Sequence, residues 1–140
     1  MAEFVWPVRV YYEDTDNGGV VYYANYLKFM ERARTEWLRA RGVEQDALVH
    51  RDRVIFAVRK AEVEYLKPAR FNQRLSVSVA VAETGKASLT FNQQVSLLTG
   101  AGEDGEVLCL GRIKIACLDA DSFRPRAIPA SVRGEILGDS

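Results

Sequence analysis

Residues 22–41 read YYANYLKFMERARTEWLRAR. Tyr26, Met30, Ala33, Trp37 and Ala40 recur at intervals of four and three, which at 3.6 residues per turn makes one continuous apolar stripe. Leu27 and Leu38 widen it, and Lys28, Arg32, Arg34, Glu36 and Arg39 fall on the other side. Gly42, just after Arg39 and Arg41, is a C-terminal stop. The spacing predicts a helix over 22–41, about 30 Å long at 1.5 Å per residue and long enough to cross a whole sheet.

Working outward, residues 5–12 read as a strand with Trp6-Pro7 at its start. A polar turn, Glu13 to Gly19, joins it to the helix. After the helix, residues 43–53 read as a loop, and the period then changes to two. Residues 54–66 form a long strand in which Arg59-Lys60 breaks the alternation and predicts a bulge. Leu75, Val77, Val79 and Val81 alternate with Ser76, Ser78, Ala80 and Ala82. Residues 84–87 turn the chain. Leu89, Phe91, Val95 and Leu97 then alternate with Ser88, Thr90, Asn92, Gln94 and Ser96. Gly100 to Gly105 turn it again before a last strand over 107–118, and the tail, 119–140, reads as irregular with one short helix. One strand, one long helix and an antiparallel meander define an α+β class, expected as a single domain over residues 1–140. The helix is expected in the concave face of a curved sheet, with the other face solvated or against a partner.

Composition narrows the function. Among 140 residues, Lys+Arg is 19 and Asp+Glu is 19, so the net basic excess of a nucleic-acid binder is missing. No apolar run approaches the length that spans a bilayer, so stable membrane insertion is not expected. Residues 1–7 carry neither a basic nor an apolar leader region, which predicts a cytoplasmic protein. Cys109 and Cys117 lie eight positions apart in one expected strand. That puts them roughly 26 Å apart, too far for a disulfide. They read as small buried apolar residues.

The segment that could carry chemistry runs from Tyr11 to Tyr26. It takes a carboxylate-bearing turn with Gly18 and Gly19 straight into a helix start, where the first N–H groups lack partners and stabilise negative charge. A carboxylate seven residues before such an N–H could flank one reacting carbonyl, the arrangement acyl transfer needs. From residue types alone, an acid ahead of a helix is more often a cap than a catalyst.

Several runs carry a resemblance: Val8 to Asp16, Gly18 to Tyr22, Ala24-Asn25-Tyr26, Glu31 to Glu36, Val58-Arg59-Lys60, Val63-Glu64-Tyr65, Pro68-Ala69-Arg70 and Arg124 to Pro129. Together they resemble the hot-dog-fold acyl-CoA thioesterases, most of all the Tol–Pal-associated branch related to the 4-hydroxybenzoyl-CoA thioesterases. The resemblance implies a long helix wrapped by an antiparallel sheet, with Asp16 as the catalytic carboxylate and the Tyr23 backbone N–H as the oxyanion donor. Gly18 and Gly19 would let the substrate approach the backbone. Lys86 with Ser88, then Arg59 and Lys60, then Lys67 and Arg70, would receive coenzyme A phosphates. Coenzyme A belongs to the substrate, so no separate cofactor and no metal are implied. Members join sheets into dimers, often dimers of dimers, and build each site from two chains. One departure stands out: Tyr23 occupies a place where the Tol–Pal-associated members carry His.

Other residues have plainer readings. Asp14 reads as a loop brace and Glu31 as one half of an ion pair with a nearby arginine. His50, the one histidine, falls in an expected loop far from the motif, which gives no support to a Ser-His or Cys-His couple. The rival function is a non-catalytic module that binds acyl-CoA or an acyl-carrier protein through partner contacts. A dehydratase reading is third, and His50 is badly placed for it.

Overall fold

The computed structural model describes residues 4–137. Along the chain run β1 (Phe4–Arg9), α1 (Asn25–Ala40), α2 (Gln45–Ala47), β2 (Val54–Tyr65), β3 (Arg74–Thr84), β4 (Ser88–Leu98), β5 (Asp104–Asp119) and α3 (Ala130–Leu137). The strands form one antiparallel sheet in the order β1-β3-β4-β5-β2, so β1 and β2 are its edges. Helix α1 lies on one face, over β1, β3 and β4. Between them Phe29, Met30, Ala33 and Trp37 of α1 bury against Leu75, Val77, Phe91, Val95 and Ile113. Trp37 meets Phe91 edge-on at 5.3 Å. Each large side chain sealed this way contributes about 1.5–3 kcal/mol. Met30 packs directly on Gly111 of β5: a Cβ there would stand 2.6 Å from Met30 Sδ.

The meander, the turn at 84–87, the bulge and the short tail helix are as the sequence predicts. The bulge leaves Arg59 unpaired between Val58 and Lys60 in the β2–β5 register. Both cysteines are buried and free. Burial pushes the Cys109 thiol up to about 12 and raises that of Cys117, so neither is a thiolate at neutral pH.

Four expectations change. The first strand stops at Arg9, because Tyr12–Asp14 curl into a 3₁₀ turn. Helix α1 starts at Asn25 rather than 22: Asn25 N–H closes a turn onto Tyr22 O at 2.8 Å, and the Tyr22 N–H is taken by Asp14 O at 2.9 Å. The loop after α1 is helical, with α2 running into a π-helical turn over Leu48–Asp52. Arg34, expected on the polar side of α1, is 8% exposed, whereas Leu27 and Ala40, expected in the stripe, are exposed.

The sheet face away from α1 is polar, yet Ser76, Ser78, Thr90 and Ser96 are buried there. Gln94 lies along it, donating its backbone N–H to Ser78 Oγ and its amide to Ser96 Oγ. Among the described residues no helix is long and apolar enough to cross a membrane.

Candidate active site

The loop between β1 and α1 is built around two carboxylates. Asp14 is buried: Oδ2 accepts from Tyr11 N–H at 2.9 Å and Oδ1 from the Asn25 amide at 2.8 Å. It thereby pins the end of the first strand segment to the first residue of α1, the brace that the sequence suggests. Asp16 heads a tight turn. Its backbone N–H donates to Val20 O and its carbonyl accepts from Gly19 N–H, with Gly19 at φ +77°. That angle favours glycine over any residue with a Cβ.

The Asp16 side chain is exposed. One oxygen, Oδ1, accepts from Gly18 N–H at 2.8 Å; the other takes no donor among the described residues. The carboxylate is thus aimed by its own turn and left with a free oxygen. Opposite it in sequence, Tyr23 lies in the turn just before α1, and among the described residues its N–H has no acceptor. The helix dipole adds to that N–H, since α1 begins two residues later.

Aromatic rings surround this start. Tyr23, 60% exposed, lies 4.6 Å from Tyr22 and 6.2 Å from Tyr65, and Tyr65 meets Tyr26 at 5.5 Å. The Tyr26 hydroxyl accepts from Ala69 N–H, and Val21 N–H donates to Ala69 O, which explains why the Pro68-Ala69-Arg70 run accompanies the loop. The neighbouring Tyr23 hydroxyl raises Tyr22, and burial raises Tyr65 and Tyr26. These three phenols are neutral hydrogen-bonding groups at physiological pH.

The other residues singled out by sequence lie apart. Arg9 pairs with Arg74 and Thr84 closes the far end of β3, so the turn bearing Lys86 is about 33 Å from the loop end of that strand. Lys86 and Ser88 therefore do not join Asp16 within one chain. Their turn is held from behind, with Arg133 and the Ile128 N–H donating to Lys86 O. Arg59 sits exposed in the bulge of edge strand β2, and Lys60 is 3.6 Å from Glu62. Lys67 pairs with Glu106, and Arg70 bridges to Val20 beside the Asp16 turn. His50 is exposed in the π-helical turn.

Glu31 does not form the expected ion pair among the described residues. It is exposed beside a cavity of about 390 Å³ between α1 and β2, which Arg34 and Thr35 also line. Burial pulls the Arg34 guanidinium down to about 10, against the opposing pull of Glu31, so it stays charged at neutral pH. Arg34 Nη1 donates to Gln93 Oε1 at 2.8 Å, and the Gln93 amide donates to Met30 O at 3.0 Å. Sequence reasoning passes over this pair. The available signal is phase: Gln93 continues the Leu89, Phe91, Val95 series, and Arg34 stands four residues from both Met30 and Leu38.

An antiparallel sheet with one long helix, and an acidic turn feeding that helix, defines a thioesterase-type hot-dog domain. The profile of the Thioesterase-like superfamily matches residues 10–136, and the chain belongs to that family. Among its relatives is the acyl-CoA thioester hydrolase YbgC of Escherichia coli O6:H1, 43% identical over 132 residues, covering 94% of both chains. The acyl-CoA thioesterase YbgC of Haemophilus influenzae is 39% identical over 130 residues, 93% of this chain and 91% of that one. In fold, a 1,4-dihydroxy-2-naphthoyl-CoA thioesterase from Synechocystis superposes with a TM-score of 0.86 at 19% identity, over 98% of this chain and 97% of that one.

Proposed function

We propose that this protein hydrolyses acyl-CoA thioesters, with Asp16 as base or nucleophile and the Tyr23 N–H as oxyanion donor. The observation that carries the reading is the pairing of a carboxylate that keeps one free oxygen with an unpartnered N–H at a helix start. In the general-base route, water adds to the thioester carbon and its proton passes to Asp16. Charge gathers on the carbonyl oxygen facing the Tyr23 N–H; collapse expels coenzyme A thiolate and leaves the free acid. In the nucleophilic route, Asp16 itself adds, coenzyme A leaves, and water opens the resulting anhydride.

The working unit is a dimer, or a dimer of dimers. Edge strand β2 has no neighbour on its outer side among the described residues, and Val58 on it is 51% exposed. Free edges pair. A two-fold antiparallel join of β2 to a second β2 sets the start of one α1 beside the far end of the partner's sheet. In that arrangement the partner's Lys86, Ser88, Arg59 and Lys60 come toward Asp16 to receive coenzyme A.

Thiol release from short, long and aromatic acyl-CoAs tests the reading. Asp16→Asn is expected to lower kcat at least about 100-fold while leaving the fold intact. No release from any acyl-CoA would favour a binding module for acyl-CoA or acyl-carrier protein. Single turnover in heavy-oxygen water separates the routes: label in the Asp16 side chain marks the anhydride.

A further inference from the structure

We propose that the cluster of arginines and aromatic rings where β1 ends and β3 begins is a docking surface for anionic phospholipid bilayers. Two segments build it, residues 9–13 and 70–74, and the fold ties them together. Val10 N–H donates to Gln73 O and Asn72 N–H donates to Val10 O, each at 2.9 Å. The two segments hold Arg9, Arg70 and Arg74, the rings of Tyr11, Tyr12 and Phe71, and a single acid, Glu13, in a chain whose net charge is zero.

The charges are uncompensated. Arg9 and Arg74 stand directly opposite each other in the β1–β3 register. Like charges in that position repel and weaken the strand pair. Among the described residues neither of them, nor Arg70, meets a carboxylate. Arg9 donates only to the neutral oxygens of Asn72, and all three arginines are exposed. Asp14 offers them nothing, being buried with both oxygens engaged. Exposed guanidiniums held in this way suit phosphate oxygens, which their planar fork meets two at a time.

The rings choose among phosphate-bearing partners. Tyr12 is 76% exposed and lies flat on Phe71, with centroids 3.8 Å apart and planes 9° apart; Tyr11 beside it is exposed too. Large rings with a hydroxyl tip sit well at the headgroup level of a bilayer. Nucleic acid fits less well: Tyr12 and Phe71 cover on each other the faces on which a base would stack, and the chain has no basic excess. Arg9 and Arg74 lie on β1 and β3, toward the opposite edge of the sheet from β2, so a join of β2 strands leaves them free. The cluster also adjoins the Asp16 turn, since Phe71 N–H donates to Gly19 O and Arg70 bridges to Val20. Docking would hold that turn at the bilayer surface, where amphiphilic acyl chains gather.

The test is sedimentation of the full chain with phosphatidylcholine vesicles, either alone or carrying about one third phosphatidylglycerol. Binding is expected to be at least about tenfold tighter to the anionic vesicles and to weaken as salt is raised. Arg70→Gln together with Arg74→Gln is expected to remove that preference, and Tyr12→Ser to weaken binding to the anionic vesicles. Lys28→Gln with Arg32→Gln takes the same charge from exposed positions of α1 and is expected to leave binding unchanged. Circular dichroism checks that each variant is folded. Vesicle binding needs no turnover, so it succeeds or fails whether or not Asp16 is catalytic. Equal binding of the wild type to both vesicles overturns the proposal, as does an equal loss in the two double variants. Displacement by coenzyme A in amounts equal to the protein would mark a nucleotide phosphate site instead, and tighter binding of a single-stranded oligonucleotide would mark a nucleic-acid surface; either result also overturns it.

Discussion

Asp14 and Asp16 stand two residues apart and do opposite things. The first is buried with both oxygens engaged; the second is exposed with one oxygen free. Asp14→Ala strips acceptors from Tyr11 N–H and the buried Asn25 amide, and is expected to cost about 1–3 kcal/mol in chemical denaturation. Tyr23 separates backbone from side-chain chemistry. Tyr23→Phe removes a hydroxyl and leaves the N–H, so kcat is expected within a few-fold of wild type. Tyr23→Pro removes the N–H ahead of α1, and losing one oxyanion donor costs about 100- to 1000-fold in kcat. Equal loss in both variants, each still folded by circular dichroism, would place the chemistry on the phenol. The Asp14 brace and the Asp16 turn were legible because their partners lie within about a dozen residues. Arg34 was legible only in phase, four residues from both Met30 and Leu38; its acceptor, Gln93, lies 59 positions away, and no local pattern announces that partner.

Among the elements, α1 was legible in type and in its end at Gly42, where φ is +81°. Its start was not, because the Tyr22 N–H goes to Asp14 O instead of opening the helix. Period alone cannot foresee that competition, which is decided by the backbone carbonyl of Asp14 on the preceding turn. The bulge in β2 was legible as a broken alternation, and its place on a sheet edge was not, since strand order is set by long-range pairing. Two substitutions probe these elements. Gly111→Ala drives a methyl into Met30, which is fully buried and has little room to yield, and is expected to cost about 1–3 kcal/mol. Val58→Asp places a charge at an exposed position of the edge strand and opposes pairing. Light scattering is expected to show its mass falling toward the 15.7 kDa of one chain, from at least twice that in the parent. A parent that already runs as a single chain at micromolar concentration rules out the shared site.

At the scale of the whole molecule, the separation of Asp16 from Lys86 becomes informative. The two lie at opposite ends of the sheet in one chain, so residues expected to hold one substrate are held apart by the fold itself. Antiparallel pairing of two copies reverses the sheet and brings the ends together. Mixed assemblies test this. An Asp16→Asn chain and a Lys86→Glu chain are each expected to be impaired alone, the first in kcat and the second in KM. In a heterodimer, one site takes Asp16 from the Lys86→Glu chain and Lys86 from the Asp16→Asn chain, and so has both; the other site has neither. Random mixing makes half the dimers heterodimeric, and half of their sites whole, so about one quarter of parental kcat/KM should return. If Lys86 acted within its own chain, no mixed site would be whole, and co-expression would add nothing beyond the two separate residual activities. Recovery that is lost on adding Val58→Asp to both chains would tie the shared site to the β2 edge.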